Sequence, residues 1–372
     1  MDDQRLEDLR RRLEADPSNA QLQLELLNAR ARIEGASVYL ELLEDRLKWN
    51  QHSHALQDQA ILEVERRLGE EYLLERILEK KSFWSFLPWK HSQTGTSTES
   101  NEVNPTEFHE KSELARIYSC NGHSHRIASF KHIKSGLILN LIPGGSYIMG
   151  DDKSPNPDEK PTEKITMEPL LIGRFPVTQS CWDRIGGDDN RKYNGPDLPM
   201  EGVSWEDCQK WLKNAGGSGD TQSLRLPKEA EWEYSCRAGS TTQYFWAVRG
   251  SGEEMDNSYC WYHKNCYDLG KKTQKVTEHF EKKKWNSFGL VDMSGNVREW
   301  CEDWYIVDYD DDDDDKYDSK YGGGNVEDIE LRVVRGGSWI LNANSCRSAF
   351  RYWGYPSQRF DSIGFRVVRN LP

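Results

Sequence analysis

Nowhere in its 372 residues does the chain place two cysteines as CxxC; its eight, at 120, 181, 208, 236, 260, 266, 301 and 346, are scattered. That scatter excludes a zinc finger or ribbon and leaves free thiols, as expected in a reducing compartment. No apolar run approaches the length needed to cross a bilayer. The opening MDDQRLEDLRRRLEAD lacks the apolar core of a secretion signal, so a cytoplasmic protein is expected. Positive charge is in deficit, and a net charge of -13 excludes duplex nucleic acid as a partner, because that partner demands a basic footprint. Aromatic residues, by contrast, are plentiful: 14 Trp and 16 Tyr, mostly after residue 180. They suit either a core poor in regular structure or a binding face.

Residues 1–80 have a helical rhythm. Leu6, Leu9 and Leu13 repeat at helical spacing, DPSN at Asp16 to Asn19 breaks and recaps the chain, and Leu22, Leu26, Ala29 and Ile33 carry a second stripe. After Gly35 a third run has Val38, Leu42, Leu43 and Leu47. A fourth has Leu56, Ile61, Val64 and Leu68, continued by Leu73, Leu74, Ile77 and Leu78. The pattern predicts three or four amphipathic helices. No copy repeats at a fixed period, which argues against a solenoid. A helical bundle or coiled coil that self-associates or docks on a partner fits the stripes. His52 and His54 read as surface histidines.

Residues 81–134 read as a linker, partly mobile. SFWSFLPW, Ser82 to Trp89, is too short to span a bilayer, and HSQTGTSTESNEVNPTE, His91 to Glu107, is polar and poor in apolar residues. His109, His123, His125 and His132 follow without a spacing that repeats on one face, so no metal cluster is expected there. From 135 on, turns and caps dominate. VTQSCWDRI and VSWEDCQKWLKNA each begin with a side chain able to cap a helix, Ser204 with Asp207 three residues on. In LPKEAEWEYSCRAG, Pro227 leads into a helix whose Trp232 turns inward. The acidic run Asp310 to Asp315 reads as a solvated loop.

The densest chemistry lies in NSFGLVDMSGNVREWCEDW, Asn286 to Trp304. Asn286 and Gly289 bracket what reads as an exposed turn, and Ser294, Gly295 and Asn296 tolerate the positive φ of a sharp reversal. Gly295, Val297 and Glu299 then stand two apart, so in extended backbone their equivalent groups repeat on one side. With the Asp292 carboxylate they offer the mixed carboxylate and carbonyl oxygens that suit Ca²⁺. A tight turn with a solvated glutamate explains the same spacing, and both readings stay open on the residues alone.

The ordered series GGSYIMGDD, RFPVTQSCW, LPMEGVSWEDCQKWL, LRLPKEAEWEYSCRAG, GLVDMSGNVREWCEDWY, VRGGSW, CRSAFR and IGFRVVR, from Gly144 to Arg369, resembles the formylglycine-generating-enzyme family. The resemblance implies an α+β, modified C-type-lectin-like domain with little regular structure over 135–372, preceded by the α-helical segment. It also implies a structural calcium at Asp292, Gly295, Val297 and Glu299. Family members from oxidising compartments bridge the position of Cys236 to one just after GFR; here that position is Val367, so the bridge cannot form. The family's copper-dependent oxidase carries two cysteines five apart after its GGS, to hold Cu(I) and accept the substrate. In GGSWILNANSCRSAFR, Leu341 stands at the first place and Cys346 keeps the distance of the second. One thiol makes no dithiolate, so copper is not expected; Cys346 is a catalytic candidate only in the oxidase alternative and otherwise a buried structural thiol.

A surface remains. From Trp339 to Ser362, Phe350, Tyr352, Trp353, Tyr355 and Phe360 interleave with Arg351, Arg359, Asn342, Asn344 and Ser357, the composition of a binding hot spot, while Trp339, Ala349 and Phe365 read as core. Variable proteins of diversity-generating retroelements, which share the lectin-like fold, use the corresponding segment as their ligand face. The expectation is therefore a non-catalytic recognition module for a protein or other macromolecular ligand.

Overall fold

The computed structural model describes residues 2–17, 19–75, 77–78, 112–216, 223–248, 255–267, 269–270, 272–282, 284–306 and 330–371. SFWSFLPW, the polar stretch to Glu107, His109 and the acidic run lie outside them. Four helices open the chain: α1 (Asp2–Ala15), α2 (Ala20–Glu34), α3 (Arg46–Gln51) and α4 (His54–Leu68), with a 3-10 stretch at Ala36–Leu43. Asn19, Asp45 and Ser53 cap α2, α3 and α4 through side-chain oxygens, as residues of those types do.

Next come strands β1 (Tyr72–Leu74), β2 (Ile77–Leu78), β3 (Ser112–Glu113), β4 (Arg116–Cys120), β5 (His123–Ile127), β6 (Ser129–His132), β7 (Ile138–Ile142), β8 (Gly145–Met149), β9 (Glu163–Met167) and β10 (Leu170–Gly173). Helices α5 (Gln179–Ile185), α6 (Trp205–Ala215), α7 (Glu229–Arg237), α8 (His263–Cys266) and α9 (Val276–Glu281) follow. Strands β11 (Arg298–Trp304), β12 (Arg332–Arg335), β13 (Arg351–Gly354), β14 (Ile363–Phe365) and β15 (Val368–Asn370) complete the chain. The expected caps are present: Thr178 accepts from the Cys181 amide at 3.3 Å, and Ser204 and Asp207 form a reciprocal capping box.

A five-stranded antiparallel sheet runs β1-β6-β7-β10-β15. Its middle strands, ILNLI and LLIG, are apolar without strict alternation because both faces are covered. Leu139, Leu141 and Leu171 join the core that holds Trp49, Leu56, Ile61 and Val64 of the helical segment, whereas Ile142, Leu170 and Ile172 join the core of α7 and β12. The second sheet, β13-β12-β11-β14, pairs β11 with β14 in parallel and so brings GNVREW beside GFR.

This arrangement corrects three expectations. First, Leu73, Leu74, Ile77 and Leu78 do not continue α4. Gly69, at φ 66°, ends the helix, and β1 takes the open edge of β6 with Leu74 opposite Phe130. Second, the segment expected to be linker to residue 134 contains β3–β6: β6 is an inner strand of the five-stranded sheet, β4 and β5 form a hairpin, and β3 pairs with β2. Third, the apolar stripe of residues 38–68 packs largely within the chain: Val38, Leu42, Leu43, Leu56, Ile61 and Val64 belong to the core shared with the main sheet. The Trp49 indole donates to the Arg126 carbonyl at 3.1 Å, the Gly144 amide to the Leu43 carbonyl at 2.6 Å, and Arg126 pairs with Asp58 at 2.7 Å. Ile33 and Leu47, counted in the stripes, face outward.

Two buried histidines make this seam acid-sensitive. Burial, then the charge of Arg46, pushes His125 down to about 3, and burial pushes His132 to about 4. Both are neutral in the fold, whereas the unfolded chain takes up their protons near pH 6.5. Stability is therefore full above that pH and falls as the pH drops toward the folded values. Each is expected to remove about 2 kcal/mol by about pH 5. Urea midpoints at about pH 7 and 5 check this: His125→Gln should lose less than the natural protein, and equal losses would refute the assignment.

Candidate functional site

The turn before β11 is buried throughout. Asn286, expected at an exposed turn, is fully enclosed: its side chain donates to the Ser235 and Cys236 carbonyls and accepts from the Phe288 and Leu290 amides. Gly289 lies against the Tyr118 ring, where a Cβ would come within 2.7 Å. Asp292, Gly295 and Asn296 all take positive φ, and a Cβ on Gly295 would sit 2.3 Å from the Trp261 carbonyl. Only glycine meets both demands. Asn296 ties the reversal together, donating to Asp292 Oδ2 at 2.8 Å and exchanging hydrogen bonds with Gln274.

For calcium, part of the expected set fits. Among the described residues the Gly295 and Val297 carbonyls accept no hydrogen bond, and Asp292 is joined to the same reversal. Glu299 is not a solvated side chain but one half of a fully buried ion pair. Its carboxylate accepts from Arg366 Nη2 at 2.9 Å, Arg366 Nε at 3.1 Å and the Trp232 indole at 2.7 Å. Of roughly four lone-pair sites on a carboxylate, one is left.

The C-terminal segment divides into structural and surface residues. Arg351 is structural: it grips Glu229 at 2.7 and 2.9 Å and donates to the Asp158 carbonyl. Phe350 is half-buried, and Asn342 caps the short turn at Ala343–Cys346 while remaining exposed, as Asn344 does. Tyr352 on edge strand β13 is 39% exposed and Phe360 44% exposed. Trp353 stacks on Tyr352 with centroids 5.9 Å apart and meets Tyr355 edge-on at 6.3 Å; both are half-buried. Ser357 is exposed, and Arg359 is exposed but paired with Asp207, the carboxylate of the α6 capping box, at 2.7 Å. Trp339, Ala349 and Phe365 are core, as expected.

Arg298 is the member that sequence reasoning missed. It is buried, donates to Ser362 Oγ at 3.1 Å, and lies 4.7 Å over the Tyr352 ring. Burial pulls its pKa down, and its Nε has no acceptor. Its place in REW, two residues from Trp300, was the available signal. A second omission is Cys260. All eight cysteines are free and buried, and the thiol that meets Cys346 comes from residue 260, not from position 341. Both sulfurs press on glycines, Cys260 on Gly295 and Cys346 on Gly337, and burial holds the Cys260 thiol far above its ordinary value. Cys236 contacts the Met293 carbonyl and Ser348, with no bridge.

A family model described as "Sulfatase-modifying factor enzyme 1-like domain" matches residues 135–371. A relative named "Chaperone protein LppX", from Paenibacillus barcinonensis, is 26% identical over 284 residues, which cover 62% of this chain and 89% of that protein. The formylglycine-generating enzyme of Bos taurus is 29% identical over 202 residues, 52% of this chain and 50% of the enzyme. This chain therefore spans about half the length of that relative. Among solved structures, Treponema denticola variable protein 1 superposes with a TM-score of 0.51 at 22% identity, covering 69% of this chain and 99% of that one. The shared fold is the lectin-like one, with the helical segment ahead of it. No described helix is long and apolar enough to cross a membrane.

Proposed function

Because the chain belongs to the sulfatase-modifying factor enzyme 1-like family, we propose that it uses this fold as a non-catalytic recognition module, with a macromolecular ligand at the C-terminal face. The observation that carries this reading is the exposure of two aromatics, Tyr352 and Phe360, on the segment whose half-buried Trp353 packs against Tyr352 and Tyr355. Large rigid rings flanked by Arg359, Ser357, Asn342 and Asn344 offer area at low entropic cost. The variable protein of Treponema denticola supports the reading only by its shared fold. Eight buried free thiols support a reducing compartment such as the cytoplasm.

The double variant Tyr352→Ala/Phe360→Ala tests it. Each change is expected to alter folding stability by less than about 0.5 kcal/mol. Affinity for the partner should fall roughly thirtyfold or more, the effect of losing a central anchor of about 2 kcal/mol. Quantitative affinity capture with both proteins decides: the same partners at the same yield would overturn the reading. A reverse transcriptase and a template copy of this segment in the neighbouring DNA would assign the face to diversification.

Calcium at Asp292 and the Gly295 and Val297 carbonyls, with Glu299 shared between the ion and Arg366, is part of the proposal; the ion would be structural. Since Glu299→Ala would break the buried ion pair whatever the metal, Asp292→Asn is the cleaner probe, and Asn tolerates the positive φ. At a hundredfold excess over Kd, calcium should stabilise the natural protein by about 2.7 kcal/mol and the variant much less. In chelator the two should melt together. Equal stabilisation by calcium would remove the site.

A second reading, the copper-dependent oxidase, is favoured by one observation, the Cys260 thiol against Cys346. A Cu(I) titration with thiol counting separates the two: stoichiometric binding lost in Cys346→Ser would favour the oxidase.

A further inference from the structure

Where the helical segment meets the β8–β9 hairpin, the fold leaves an open cavity of about 510 Å³, remote in its lining from both the calcium turn and the C-terminal face. We propose that this cavity binds a small organic anion, a carboxylate or phosphate on a compact apolar body, with the Arg46 guanidinium as its counter-charge. The volume falls in the range of small-molecule sites, roughly 300–1,000 Å³.

The charges around it are unevenly satisfied. Arg237 is spent on the fold, donating to Glu233 at 2.8 Å and to the Thr242 and Gly150 carbonyls. Asp152 accepts from both the amide and the hydroxyl of Thr162, and Asp151 from the Lys153 amide. Arg46 is held more loosely, its guanidinium 5.8 Å from the centroid of the Tyr234 ring. Among the described residues it makes no ion pair, and its Nη1 is buried without an acceptor, a costly state for a guanidinium. Its charge is felt nearby, since it helps hold His123 and His125 neutral. Lys153 and Lys164 at the rim also make no ion pair among the described residues. In a protein of net charge -13 this is an unusual place to leave three cations without ion pairs.

The lining suits a ligand with two ends. Gly239, at φ 105°, lets the loop run close to the guanidinium; a Cβ there would lie 3.3 Å from Arg46 Nη1 and 3.1 Å from His123 Nδ1. Thr241, exposed at the next bend, adds a hydroxyl, while Ile148, 48% exposed, supplies an apolar wall. Arg46 precedes the residues the family model matches, so this site belongs to the combination of helical segment and domain, not to the domain common to the family.

Titration calorimetry of the full chain with phenyl phosphate, benzoate and inorganic phosphate tests the site. At least one organic anion should bind saturably and more tightly than inorganic phosphate; phenyl phosphate against benzoate tells which head is preferred. Arg46→Gln should weaken that binding about tenfold or more, the scale of one charge-assisted hydrogen bond. Lys164→Glu, an exposed rim change, should weaken it while leaving the melting temperature unchanged, and Thr241→Trp should block it. No saturation of any probe by about 10 mM, weaker than the smallest affinities of specific recognition, overturns the proposal. So does unchanged binding in Arg46→Gln or, should that variant not fold, in both rim variants.

Discussion

Arg366→Met is expected to cost about 3–5 kcal/mol of folding stability, because it leaves the Glu299 carboxylate buried without its counter-charge. Both partners are fully enclosed, and Arg366 also donates to the Gly173 carbonyl at 2.6 Å and the Val291 carbonyl at 2.8 Å. One side chain thus joins the end of β10, the loop at Val291 that leads into the turn, and β11. A domain has about 5–15 kcal/mol in all, so the single variant should be close to unfolded in mild denaturant. Arg366→Lys should rescue little, since an ammonium cannot make the fork of contacts. Glu299→Gln with Arg366→Met should recover much of the loss, because no unpaired charge remains and the Trp232 indole keeps an acceptor. Urea midpoints at constant m decide. A loss below about 1 kcal/mol in the single variant would mean that water reaches the pair.

Trp49→Ala is expected to cost a further sizeable amount, about 3–5 kcal/mol, and to do so in one cooperative transition. The indole is 1% exposed and lies in the core that also contains Leu139, Leu141 and Leu171. Removing it empties the space between the helical segment and the main sheet and leaves the Arg126 carbonyl without its donor. A separately folding helical module would give another result: two melting transitions, with amide protection on β6 and β7 unchanged. Hydrogen exchange on Phe130 and Leu139 distinguishes these, and faster exchange at both is expected.

Much of the fold was legible in the sequence. The caps at Thr178 and Ser204, the inward Trp232, the positive φ at Gly295 and Asn296 and the helices α1, α2 and α4 follow from local rules, whereas the run from Val38 to Leu43 forms a 3-10 stretch. Leu73 to Leu78 were misassigned because a run of leucines satisfies a helix and an edge strand alike until the strand it pairs with is known. Of the face, the exposed Tyr352 and Phe360 were legible as surface; Arg351, identical in kind to a surface arginine, was not legible as a structural one. The Cys260 neighbour of Cys346 had no sequence signal, since the two lie far apart along the chain.

What the sequence by itself determined is the family, the backbone punctuation and the list of candidate oxygens, thiols and rings, because each depends on a residue and its near neighbours. What only the tertiary structure decided is who faces whom. Glu299 meets Arg366 67 residues away, Trp49 meets Arg126 77 away, and Arg347 meets Glu159 188 away. Burial and ion pairing are properties of such distant meetings. The same glutamate therefore reads as a calcium ligand in the sequence and appears as the centre of a buried ion pair in the fold.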